Sequence, residues 1–116
     1  MAVSLEFSDF ISELLEPFGD FTIKRMFGGI GIYWDGIMMA VLFSDELYFK
    51  TGPSNIKDYQ DKEMPAFKPF ENKPMTMSYS LVPPEVIEDR EAMELWATKA
   101  LEAALAAKKK KSAKKI

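Results

Sequence analysis

The chain has 116 residues, 47% apolar and 28% charged, a balance that suits one globular domain with one core and excludes a disordered chain. It holds no cysteine and no histidine, which excludes a disulfide framework, removes the thiolate and imidazole ligands of zinc, and takes away the commonest general base. The net charge of −3 hides an asymmetry: six lysines sit in the last nine positions, and without them nine basic residues face eighteen acidic ones, a net of −9 over residues 1–107.

In chain order, Phe7, Phe10, Ile11, Leu14, Leu15 and Phe18 fall on one face at about 3.6 residues per turn. They predict a helix over residues 5–18. Ser4 is its expected N-cap, and Pro17 and Gly19 its end. Glu6 and Asp9 stand where a secretory signal would carry basic residues, and no apolar stretch approaches the roughly 18 residues of a membrane span. A cytoplasmic location is the expectation.

Residues 21–27 alternate, with Phe21, Ile23 and Arg25 on one side and Thr22, Lys24 and Met26 on the other, as in a strand with mixed faces. A second strand follows over residues 30–34. Asp35-Gly36 is the strongest turn signal, because a type I′ hairpin needs positive φ at both central residues. Residues 37–43 are apolar throughout and predict a central strand covered on both faces. Residues 44–46 read as a short loop, and residues 47–50 as a fourth strand. A short helix over residues 54–61 is expected to be capped by Ser54. Prolines at 65, 69 and 74 make residues 65–74 an edge strand or irregular. Met75, Met77, Tyr79 and Leu81 alternate with Thr76, Ser78 and Ser80, so that strand should have one core face and one polar face. Pro84 suits the first turn of a short helix. A longer helix is expected over residues 89–107, on a stripe of Met93, Trp96, Ala97, Ala100, Leu101, Ala104 and Leu105.

The order implies α+β: an antiparallel sheet of about five to six strands with helices at both ends, packed in two layers. Residues 1–107 form the domain, and residues 108–116 are expected to be a disordered lysine-rich tail.

Chemistry is sparse. Most carboxylates fall on solvated helix faces or in turns, which disfavours a carboxylate active site. Gly28-Gly29-Ile30-Gly31 lies between two strands, whereas a phosphate loop lies between a strand and a helix. Gly28, Gly29, Gly31 and Gly36 are therefore assigned to structure. Arg25 beside Met26 and Phe27 is a candidate contact patch, against the plainer expectation that it pairs with an acid across the sheet. Tyr48 and Lys50 are candidates too, on the face opposite Leu47 and Phe49. The lysine tail has weak nucleic-acid or anionic-lipid affinity as its alternative role.

The run Arg25-Met26-Phe27-Gly28-Gly29-Ile30-Gly31-Ile32-Tyr33-Trp34-Asp35-Gly36 resembles the signature of the TfoX/Sxy N-terminal domain family. The likeness continues through Met38-Met39-Ala40, Asp45 to Lys50, Met77-Ser78-Tyr79, Pro84-Glu85, Glu88-Asp89 and Trp96-Ala97. The resemblance implies a two-layer α+β domain, compared with secretion-chaperone-like folds. Longer members are regulators of competence genes that act with a cyclic-AMP-responsive transcription factor and carry a second domain. This chain is expected to be a stand-alone first domain. The resemblance brings no catalytic residue, no metal and no cofactor. It implies a protein partner in the transcription machinery, and self-association as a homodimer. The expectation is a non-enzymatic interaction or regulatory module. Its alternatives are a nucleic-acid-associated protein working through the tail, and a small-molecule-binding domain.

Overall fold

The computed structural model describes residues 5–26, 29–67 and 78–114. Helix α1 spans Leu5–Leu15, and Pro17 sits in a single 3-10 turn, Glu16–Phe18, that closes at Gly19 with φ 152°. Ile11 and Leu15 are wholly buried. Burial of each is worth roughly 1.5–3 kcal/mol, which holds a helix too short to persist alone. The buried stripe is narrower than the expected face: Ser8 is inside and Phe10 is 46% exposed. Phe10 lies about 100° round the helix from Ile11, beyond the reach of the sheet.

Five strands form an antiparallel meander in the order β1-β2-β3-β4-β5: Phe21–Met26, Gly29–Trp34, Ile37–Phe43, Glu46–Lys50 and Tyr79–Leu81. The Asp35-Gly36 hairpin has φ of 49° and 78°, both positive as its turn type requires. The second hairpin is tighter than expected. Phe43 pairs with Glu46, so Glu46 belongs to β4, and Ser44 and Asp45 alone make the turn at φ 53° and 57°.

β3 is the central strand, as its composition predicts, with Met39, Ala40, Val41 and Leu42 buried. Opposite it, Ile32 pairs with Ala40 but Tyr33 with Met38, so Met39 is an extra residue in a bulge. The bulge turns both Met39 and Ala40 to the same side. There they join Ile30, Ile32, Leu42, Leu47 and Phe49 against the helices.

Helix α2, Ile56–Asp61, starts one residue later than a Ser54 cap would allow, with Asn55 at the cap position. Helix α3, Pro84–Ile87, begins on its proline. Helix α4, Arg90–Lys114, is capped by Asp89, whose Oδ1 accepts from the N–H groups of Glu91 at 3.0 Å and Ala92 at 3.4 Å. Ile11, Leu15, Tyr59, Val86, Met93, Ala97, Ala100 and Ala104 share one core with the sheet, so all four helices lie on one face. The helical backbone of α4 does not end at Ala107, as its apolar stripe predicts, but continues to Lys114. Alanine and lysine are good helix formers, so a helix already anchored propagates into this stretch.

A smaller cluster of Val41, Phe67 and Tyr79 covers the other face, joined by Met38, Phe43 and Tyr48. β5 is therefore covered on both sides. Ser80, expected on a polar face, pairs with Phe49 on the helix side and is 3% exposed. Ser4, Phe27, Gly28 and the predicted strand residues Met75 and Met77 lie outside the described residues.

Candidate functional site

Register decides which candidate residues share a surface. Arg25 pairs with Ile30, Ile30 with Leu42, and Leu42 with Leu47, so Arg25 belongs to the helix side of the sheet. Tyr48 pairs with Val41, Val41 with Gly31, and Gly31 with Lys24, so Tyr48 is on the other side, in line with Lys24. Lys50 lies on that side too. The structure brings Tyr48 and Lys50 together and separates them from Arg25.

Tyr48 and Lys50 are held by neighbours. The Tyr48 ring lies 4.8 Å from that of Phe67, and its hydroxyl donates to Glu46 Oε1 at 3.1 Å. Burial first, and then the Glu46 carboxylate, pushes its phenol up to about 12. Lys50 Nζ stands 5.2 Å from the centre of the Tyr79 ring, a cation–π contact. Tyr79 donates to the Met38 carbonyl at 3.3 Å, and burial pushes its phenol up to about 12. This face is a satellite core with polar rims.

Arg25 is different. Its cross-strand neighbour is Ile30, so the expected pairing with an acid across the sheet is not what the register gives. It is exposed, with Thr22, Ile23 and Lys24 beside it on β1. Ile23 is 52% exposed, a large apolar side chain in the middle of an edge strand. Next to it a cavity of about 240 Å³ opens between the end of α1 and β1, lined by Ser12, Leu15, Glu16, Asp20, Phe21 and Ile23 among others. The far edge of the sheet is covered: Ala66 bridges to Ser80, the Phe67 N–H donates to the Tyr79 carbonyl at 2.8 Å, and the Leu81 N–H donates to the Pro65 carbonyl at 3.0 Å. Among the described residues β1 is the edge without a neighbour. Ile23 was not among the residues singled out from sequence. Its signal, an apolar residue in a mixed strand, does not distinguish edge from centre.

Gly29 stands where two strands approach closely. A Cβ at Gly29 would stand 2.5 Å from the Leu42 carbonyl oxygen, so β2 and β3 close up there only because Gly29 has none. Gly31 is buried in β2. Among the described residues no group of three acidic side chains could hold a metal ion, and no helix is long and apolar enough to cross a membrane. A second cavity of about 390 Å³ is lined by Thr51, Gly52, Ile56, Ser78 and Ser80 among others, without a charged group.

Compared with known proteins, residues 13–104 match the family model of the TfoX N-terminal domain. No curated relative matches the chain.

Proposed function

We propose, from the premise that this chain belongs to the TfoX N-terminal domain family, that it is a non-enzymatic protein-interaction module in transcriptional regulation, working in the cytoplasm. The contact surface is the β1 edge with Ile23 and Arg25. The observation that carries this reading is Ile23 itself. An apolar side chain left 52% exposed, flanked by arginine on an edge strand that has no neighbour among the described residues, is what strand addition by a protein partner uses. Arginine adds the planar, weakly hydrated cation common at the centres of protein contacts. Tyr48 and Lys50, engaged by Glu46, Phe67 and Tyr79, are the weaker candidates.

Affinity purification of the tagged full-length chain from its native host, read by mass spectrometry, tests this. A transcription factor or polymerase subunit should be enriched with wild type and lost with Ile23→Asp/Arg25→Ala. It should be retained with Tyr48→Ala. Recovery with all three proteins would move the contact away from β1. Recovery of no transcription protein with wild type would refute the regulatory reading.

A further inference from the structure

The β1 edge carries a charge pattern that is complementary to itself. The strand is entered through Glu16 and Asp20 and leaves through Lys24 and Arg25, so one end is acidic and the other basic. None of these four side chains forms an ion pair among the described residues. Ile23 lies between the two ends, 52% exposed.

We propose that β1 pairs antiparallel with β1 of a second copy of this chain, about a two-fold axis at Ile23, making one continuous ten-stranded sheet. This rests on the reading of β1 as a contact surface: a second copy occupies the edge when a transcription protein does not. A two-fold contact presents the same patch from both sides, so it must be self-complementary. With Ile23 opposite Ile23, Phe21 stands opposite Arg25 of the second copy, and Thr22 opposite its Lys24. No two like charges face each other directly. Asp20 falls diagonally across from Lys24 on the same side of the sheet, a separation of about 7–8 Å that long side chains span. On the helix side, Arg25 of each copy meets the Phe21 face and the mouth of the cavity lined by Glu16. The two isoleucines leave water together, and the free backbone groups of both edges are satisfied. A parallel arrangement would set acid against acid and lysine against lysine. The charge pattern therefore selects the antiparallel one. A six-residue strand is a small interface, so the dimer is weak and concentration-dependent.

Sedimentation equilibrium of the full-length chain, from micromolar concentrations to about 1 mM, tests this. The expected result is a reversible shift from 13.2 kDa toward twice that mass, weakened by salt. Ile23→Asp should be monomeric with an unchanged melting temperature. Glu16→Lys/Asp20→Lys and Lys24→Glu/Arg25→Glu should each be monomeric alone and form a mixed dimer when combined. That rescue requires acidic and basic ends to meet across the two-fold axis, and misfolded variants would not show it. A wild-type chain that stays monomeric throughout, a dimer that survives Ile23→Asp, or variants that do not combine would each overturn the proposal. A monomeric wild type that still captures a transcription protein would leave the regulatory reading standing. A dimer that captures none would sink that reading alone.

Discussion

Asn55 is 1% exposed and bridges two backbone segments: its Oδ1 accepts from the Gly52 N–H at 2.8 Å, and its Nδ2 donates to the Lys50 carbonyl at 3.0 Å. Alanine there strands one donor and one acceptor, so Asn55→Ala should cost about 2–3 kcal/mol in urea denaturation with an unchanged m-value. Tyr59 is the reverse case. Its ring packs edge-on against Trp96 at 4.8 Å, but its hydroxyl is buried with no hydrogen-bond partner among the described residues. Tyr59→Phe should raise stability near neutral pH by up to about 1 kcal/mol. Burial also pushes the Tyr59 phenol well above its usual value, as it does Tyr48 and Tyr79, each up to about 12. Unfolded tyrosines ionise near pH 10, so above that the unfolded chain releases protons that the fold retains. Stability is then present below about pH 10 and is lost as pH rises toward the folded values. The loss between about pH 10 and 12 should be smaller in Tyr59→Phe, and equal losses in the two proteins would contradict this.

At the scale of elements, the two hairpins reach the same backbone with different residues. At Gly36, with φ 78°, a Cβ would have nothing within 4 Å, so a substitution there meets no clash and tests conformation alone. Gly36→Val should lower the melting temperature by about 5–10 °C, since a β-branched residue resists positive φ. An unchanged value would rule out the type I′ turn. Gly29 is a matter of space instead: Gly29→Ala must push the Leu42 carbonyl away and should cost about 1–3 kcal/mol. Gly29 pairs with Met26 at the end of β1, so this variant should also weaken any contact made through β1. Between α2 and its neighbours, Lys99 pairs with Asp58 at 3.0 Å and Lys62 with Glu85 at 2.9 Å. Lys62 holds the Glu85 carboxyl below its usual value. The Lys62–Glu85 pair stands in solvent and the Lys99–Asp58 pair is half-buried; both position α2 more than they stabilise it.

For the whole molecule, charge and core part company along α4. Among the described side chains its last buried ones are Ala103 and Ala104, and the lysines lie beyond in sequence. A chain ending at Ala107 should melt at the same temperature as the full chain. The remaining body, net −9, repels polyanions at long range. Any affinity for nucleic acid should fall steeply with salt and vanish on removing residues 108–116. Binding that survives the deletion would place it on the body and contradict the tail as its source. Melting and filter-binding measurements on the two lengths decide both points.

The sequence by itself determined what is local. Periodicity set α1 and the body of α4, the unbroken apolar run set β3 at the centre, and Asp35-Gly36 set its hairpin, because each depends on neighbours within a few residues. Alternation also placed Tyr48 and Lys50 on the face opposite Leu47 and Phe49. The tertiary structure alone decided the rest. Alternation says that residues take turns, not which strand lies beside which, so it could not put Arg25 and Tyr48 on different sides. It could not foresee the Met39 bulge, which sends two successive residues inward. Nor could it see that Ser80 is buried beneath the helices, that Asn55 rather than Ser54 takes the cap position of α2, or that β1 is the edge without a neighbour among the described residues, with Ile23 exposed. Those are facts of register and of what lies across a gap, and a strand's own residues do not encode its neighbour.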